Sequence, residues 1–352
     1  MSRFFSKRLN ELDPYVPGEQ PIDMAYIKLN TNESPYPPSP GVIAAINESE
    51  TSKLKLYPNP EGVALVKRLS EFYNVSEENI IIGNGSDELL AFAFQAFCDD
   101  ERPVVFPDIT YGFYPVYAKL YNIPYTEIPL ASDLSININD YTGINKNIVI
   151  ANPNAPTGIT LNLKEIEEIA TANPNHVVLI DEAYVDFGAN SAIELTKKYD
   201  NLLVMHTYSK SRSMAGARLA YAIASKPIID DLVKIRFSFN PYSVNRLTQI
   251  AGIAALDDND YYIDKRKKII NTRSITKQEL TELGFETTES YANFIFAKHP
   301  KHSGFELYTQ LKEKGILVRN FNKPRISDYI RITIGTAEQM ETLIATLKEV
   351  IE

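Results

Sequence analysis

Between residues 79 and 225 short apolar runs alternate with stretches of helical spacing, and this alternation limits the fold more than any other feature of the chain. Residues 79–85 read as a strand with a glycine turn that feeds a helix over 86–98. Further strands are expected at 103–107, 124–130, 147–153, 176–184, 202–210 and 218–225, with helices at 111–122, despite Pro115, and at 161–172. Short apolar strands separated by helices have both faces covered, which calls for an α/β domain with a mostly parallel central sheet.

After 245 the pattern changes. A long helix over 245–284, broken near 257–260, precedes a strand at 291–297, a helix at 305–314, strands at 315–319 and 329–334, and a final helix at 337–351. That describes a smaller α+β domain. The expected division is an N-terminal segment (1–29) packing with the small domain, a large domain (30–245) and a small C-terminal domain (246–352). Pro14, Pro17 and Pro21 keep the first segment irregular. The polar, proline-rich stretch 29–40 opens onto a short helix, so it is expected to lie against the body of the protein.

Composition narrows the function classes. The chain has 352 residues and a net charge of -9, from 36 basic and 45 acidic side chains, which argues against nucleic acid or an anionic membrane as partner. The single cysteine, Cys98, excludes an intrachain disulfide framework and suits a reducing cytoplasm; its neighbours read as helical and the thiol as a small buried hydrophobe. No apolar run approaches transmembrane length, and the N-terminus lacks the apolar core of a secretion signal, so a soluble cytoplasmic protein is expected. His299 and His302 have no further ligands at metal spacing, so no metal is expected, and Lys265 to Lys268 read as a solvated helix face.

Three constellations carry chemistry. The apolar run 202–205 leads into Thr207-Tyr208-Ser209-Lys210-Ser211-Arg212, and a lysine at a strand end can form a Schiff base with a carbonyl. Ser209 and Arg218 beside it make a cradle for a dianionic phosphate. Asp181 ends the apolar run 177–180; a carboxylate there needs a cation or hydrogen bonds, and otherwise serves as a loop cap. In Gly83-Asn84-Gly85-Ser86-Asp87-Glu88 the third glycine of a dinucleotide fingerprint is missing, since Glu88 stands in its place. Either Ser86 and Asp87 cap the helix, or the glycine turn offers helix N–H groups to one phosphate.

Six motifs in order (Tyr57-Pro-Asn-Pro, 83–88, Asn152-Pro-Asn-Ala-Pro-Thr-Gly, Asp181-Glu-Ala-Tyr184, 207–218 and 329–336) resemble the class-II-type aminotransferases of fold type I, and within them the histidinol-phosphate aminotransferase family. The resemblance runs from about residue 13 to the C-terminus. It implies a fold-type I pyridoxal-phosphate-dependent transferase, working as a homodimer by a ping-pong mechanism in histidine biosynthesis. The amino group would pass between histidinol phosphate and 2-oxoglutarate, yielding imidazole-acetol phosphate and glutamate. An aromatic amino acid aminotransferase and a threonine-phosphate decarboxylase share this fold and stand as alternatives.

Carried over position by position, Lys210 would bind pyridoxal 5′-phosphate covalently, Asp181 would pair with its pyridine nitrogen and Tyr184 with its ring oxygen. Gly85, Ser86, Asp87, Ser209 and Arg218 would surround the phosphate, Tyr111 would stack on the ring, and Tyr57 would reach in from a second subunit. Tyr15, Arg319 and Arg331 would contact substrate, although strand alternation alone would place Arg331 at the surface. One position departs from the pattern. The family usually has Asn directly before Pro-Thr-Gly, and here that residue is Ala155, so either Asn154 or Tyr184 alone must serve the ring oxygen.

Overall fold

The computed structural model describes residues 3–10 and 12–352. Its centre is a seven-stranded sheet in the order Ile80–Gly83, Ala220–Ile223, Leu202–Thr207, Val178–Asp181, Asn147–Ala151, Val104–Pro107 and Tyr125–Ile128. All neighbours run parallel except Ala220–Ile223, which is antiparallel to both strands beside it. Side chains alternate between the two faces. Ile80, Ile82, Val178, Ile180, Leu202 and Val204 pack into one core with Leu65, Leu69, Ile166 and Ile169. Ile81, Leu179, Leu203 and Met205 pack into the other with Leu89, Leu90, Phe94 and Leu232. Burial on both faces explains why these strands read as continuous apolar runs. Tyr125–Ile128, at the sheet edge, is the polar exception.

A four-stranded antiparallel sheet lies in the C-terminal part, in the order Arg319–Asn320, Tyr329–Thr333, Phe294–Lys298 and Glu286–Thr287. Helices Gly304–Glu313 and Ala337–Ile351 contribute Leu307, Leu311, Leu343 and Leu347 to its core. The last helix starts with a capping box: Thr336 Oγ1 accepts from Gln339 N, and Thr336 N donates to Gln339 Oε1 at 2.9 Å. The N-terminal residues Ile27–Lys28 pair in parallel with Ile316–Leu317, and Thr333 N donates to Leu29 O at 2.9 Å. Residues 27–32 are thereby bonded to the C-terminal strands.

The structure corrects several local expectations. The stretch 315–319 is two short strands rather than one, because Ile316–Leu317 pairs with the N-terminal segment and Arg319–Asn320 with Tyr329–Thr333. A helix at Lys226–Phe239, unread in the sequence, covers the sheet beside Ile80–Gly83. The long helix, by contrast, breaks where expected, at Asp258, into Arg246–Asp257 and Asn259–Glu282, and the Asp258 carboxylate accepts the Gly41 N–H at 2.8 Å. Ser86 and Asp87 do not cap their helix: Gly85 holds the cap position and they are its first two residues. Cys98 is half-buried at that helix's end, and burial pushes its thiol up to about 12. Arg266 leaves the solvated face expected of it and pairs with Asp186 at 2.5 Å.

Candidate active site

The carboxyl ends of parallel strands are where α/β sheets hold ligands. Here Asp181 ends one strand, Thr207 ends the next, and Lys210 follows three residues later. All three face an inner cavity of about 170 Å3, which shares Lys210, Tyr184, Ala155 and Arg218 with an outer cavity of about 420 Å3. Lys210 Nζ donates to Thr31 O at 3.4 Å and sits 5.7 Å from the centre of the Tyr184 ring.

Asp181 is 5% exposed, and its partners are neutral: Tyr114 Oη donates to it at 3.1 Å and Ala183 N at 3.2 Å. Burial pushes its carboxyl up to about 6, a shift that those two hydrogen bonds only partly oppose. A cationic ring nitrogen in the inner cavity would supply the missing charge.

The inner cavity is also lined by Ser86, at a helix N-terminus, with Thr207, Ser209 and Arg218. Hydroxyls, a guanidinium and the free N–H groups of a helix start form an anion site. Gly85 makes the approach possible. It has φ +85°, and a Cβ there would lie 2.4 Å from Arg218 Nη2. Asp87 lines both cavities, and its carboxylate accepts from Arg218 Nη2 at 3.2 Å and from the Tyr111 hydroxyl at 2.8 Å. It therefore fixes the two groups beside the cavity. Buried carboxylate, amine, aromatic wall and anion cradle together fit a pyridoxal phosphate.

The outer cavity holds the expected substrate contacts Tyr15, Arg319 and Arg331. Tyr15 stacks on Phe113, with centroids 4.2 Å apart, and lies 6.0 Å from Tyr111. Arg331 Nη2 donates to Asn30 O at 3.0 Å, while its Nε is buried with no partner. Burial also pushes this guanidinium below its ordinary value. The face that alternation assigned to solvent is thus the cavity face.

Two candidates lie elsewhere. Tyr57 is 78% exposed, stacks on Tyr242 at 4.6 Å, and lines neither cavity within its own chain. Asn154 is buried and fully engaged: it donates to Ile109 O at 2.9 Å and Thr157 Oγ1 at 3.2 Å, and accepts from Thr110 Oγ1 at 2.7 Å. It faces the loop it holds, and the cavity wall is Ala155. The sequence offered Asn154 to a ring oxygen; its side chain is instead committed to Thr110, Ile109 and Thr157 and lines neither cavity.

Sequence reasoning missed Tyr114, Thr207, Asn32 and Lys323. Thr207 carried a usable cue, a hydroxyl beside Ser209 and Lys210, to which it is tied at 2.9 Å through Ser209 Oγ. Tyr114 reaches Asp181 from a different helix, and Lys323 reaches the outer cavity from a loop, where its Nζ donates to Asp108 O at 3.1 Å. Neither position has a local cue.

The sequence profile of aminotransferase class I and II matches residues 25–347. The histidinol-phosphate aminotransferase of Brachyspira hyodysenteriae is 52% identical over 353 residues, covering 100% of both chains. The chain belongs to the class I and II aminotransferases, among the histidinol-phosphate aminotransferases. Histidinol-phosphate aminotransferase 1 of Bradyrhizobium diazoefficiens is 47% identical over 351 residues, again across 100% of both chains. Among solved structures, the Sinorhizobium meliloti histidinol-phosphate aminotransferase in complex with pyridoxal-5′-phosphate superposes with a TM-score of 0.86 at 26% identity, covering 93% of this chain and 91% of that one. The class I and II aminotransferase fold expected from the sequence is thus the fold observed.

Proposed function

We propose that this aminotransferase moves the amino group of L-histidinol phosphate to 2-oxoglutarate, giving imidazole-acetol phosphate and L-glutamate, in ping-pong fashion and as a step of histidine biosynthesis. One observation carries the reading: two arginines, Arg319 and Arg331, line an outer cavity that opens beside Lys210 and Asp181. Histidinol phosphate ends in a phosphate and glutamate in a carboxylate, and a planar guanidinium grips either anion.

Pyridoxal 5′-phosphate, when bound, supplies a ring that accepts the electron pair left behind when the substrate carbon loses its proton, and it carries the amino group between substrates. Asp181 would hold positive charge at the ring nitrogen, Tyr184 would serve the ring oxygen and Tyr111 the ring. Ser86, Ser209 and Arg218 would take the phosphate, with Gly85 leaving Arg218 room to do so. Lys210, which lines both cavities, would anchor the cofactor covalently and move the substrate's proton. Tyr15, Arg319 and Arg331 orient the anionic end of each substrate.

The working unit in this reading is a homodimer in the cytoplasm. Tyr57 is the residue presented to the partner's site, and Leu54, Leu56, Val63 and Phe239 are exposed apolar side chains from the same two chain regions as the Tyr57–Tyr242 stack. Single-turnover rates with histidinol phosphate, glutamate, phenylalanine and tyrosine test the substrate assignment. Histidinol phosphate is expected to react fastest. Faster turnover of phenylalanine or tyrosine would favour the aromatic aminotransferase reading, and release of carbon dioxide the decarboxylase.

A further inference from the structure

The hydroxyl of Tyr184 has a partner that no motif pointed to. Asn32 Nδ2 donates to Tyr184 Oη at 2.9 Å, across 152 residues of sequence. Asn32 is 1% exposed and sits at φ +56°, a left-handed conformation that asparagine and glycine tolerate best.

Its amide orientation is set from behind. Thr333 Oγ1 accepts the Asn32 backbone N–H at 2.9 Å and donates to Asn32 Oδ1 at 3.0 Å. With the amide oxygen turned to Thr333, the amide nitrogen must face Tyr184. Asn293 Nδ2 adds a bond to Asn32 O at 3.0 Å, so the backbone is held as well. Strand residue, amide and phenol form one directed chain of hydrogen bonds.

The direction decides what the phenol can do. A hydroxyl that accepts from an N–H keeps its own proton free for another acceptor. Accepting a bond also polarises the O–H group and makes it a better donor. Tyr184 packs against the cluster of Ala155, Ala292 and Phe294, and Ala155 lines the same cavity with no side-chain donor to offer.

We infer that Asn32 is the positioning residue for Tyr184, holding its oxygen so that the hydroxyl proton is directed into the cofactor cavity and compensating there for the donor that Ala155 lacks. The inference rests on the pyridoxal phosphate reading above. It places the compensation for Ala155 not in the neighbouring Asn154 but in the N-terminal segment.

A donor on the ring oxygen draws off negative charge that otherwise stabilises the proton shared near Lys210. Weakening that donor raises the pH midpoint at which the bound cofactor changes its visible absorption. Asn32→Gly removes the amide, suits φ +56°, and retains the backbone bonds to Thr333 and Asn293. In the cofactor-loaded protein its midpoint is expected to rise by about one pH unit, the equivalent of one hydrogen bond to a charged group. Asn32→Asp, which offers an acceptor where the amide gave a donor, should shift it at least as far.

Tyr184→Phe supplies the control. In that background Asn32→Gly, which adds no charge, should not move the midpoint further, which a merely structural role would not produce. If Asn32→Gly fails to fold, Thr333→Val tests the same chain by releasing the amide oxygen, with a smaller upward shift expected. An unshifted midpoint in the folded variants, or equal shifts with and without the Tyr184 hydroxyl, overturns the inference alone. A wild-type protein with no visible band overturns the cofactor reading on which it rests.

Discussion

Arg319 and Arg331 are direct partners across two antiparallel strands, residue opposite residue, and both guanidinium groups line the outer cavity. Like charges placed directly opposite on one face of a sheet repel and destabilise it. Each arginine gives part of its donor set to carbonyls: Arg319 to Val16 O at 3.2 Å and Pro17 O at 3.3 Å, Arg331 to Asn30 O. Arg331 Nε is buried with no partner. The repulsion between the two cations is relieved by a phosphate or carboxylate placed between them.

The two arginines should divide the work. Arg331→Lys is expected to slow both half-reactions by about 10- to 100-fold, because an ammonium cannot reproduce a forked guanidinium contact. Arg319→Ala should cost the phosphorylated donor more than glutamate, whose shorter side chain depends less on the second cation. Single-turnover rates of the separate half-reactions decide this, and equal losses in Arg319→Ala would refute the division.

Lys210 is expected to carry the cofactor. The purified protein should be yellow, and borohydride should fix the cofactor to the peptide containing Lys210. Lys210→Ala should retain its fold by circular dichroism while losing turnover by at least about 10³-fold, the order expected when a positioned proton-transfer group is removed. Near-normal turnover in Lys210→Ala would assign the chemistry to another residue.

Asp181 gives a pH-dependent prediction in the cofactor-free protein. Its folded value of about 6 lies above the ordinary 3.8, so the carboxyl favours the fold while protonated, and this contribution is lost as pH rises through 6. Asp181→Asn avoids that loss. The variant without cofactor should match the wild type near pH 4 and exceed it by up to about 3 kcal/mol above pH 7. With cofactor the order reverses, because the ion partner of the ring nitrogen is gone and turnover falls. Urea unfolding of both proteins between pH 4 and 8 measures the gap, and a gap that does not change with pH removes the assigned burial effect.

Gly85→Ala should weaken cofactor binding about tenfold or more. A Cβ would stand 2.4 Å from Arg218 Nη2, and φ +85° is itself unfavourable for alanine. Equilibrium titration of the cofactor-free variant by visible absorbance tests this, and unchanged affinity would show that Arg218 takes no part in holding the phosphate.

Tyr57 should act across a subunit interface. Tyr57→Phe and Lys210→Ala proteins, each impaired alone, are expected to regain activity when mixed under exchange conditions, since hybrid dimers contain one intact site. A fully active monomer in gel filtration would contradict the arrangement.

Much of this was legible from local pattern. The strand and helix alternation follows from burial of both sheet faces, and the last helix, Ala337–Ile351, has the bounds its spacing implied. Lys210, Asp181, Arg218 and Ser86 could be picked out because each is a polar residue where an apolar run or a glycine turn ends. Those cues are short in range. The helix Lys226–Phe239 went unread although Ser225 at its N-cap and Pro227 in its first turn mark a helix start.

Periodicity and turn residues act within a few positions, so the order of residues along the chain suffices for the local elements and the chemical groups at their ends. Tertiary structure alone decided which of Asn154 and Ala155 faces the cavity, that Arg319 stands opposite Arg331, and that Thr333 turns Asn32 toward Tyr184 from 301 residues away. Strand register and the packing of distant segments set those relations. A one-residue slip in pairing would turn every side chain to the other face, and no local spacing records which register is chosen.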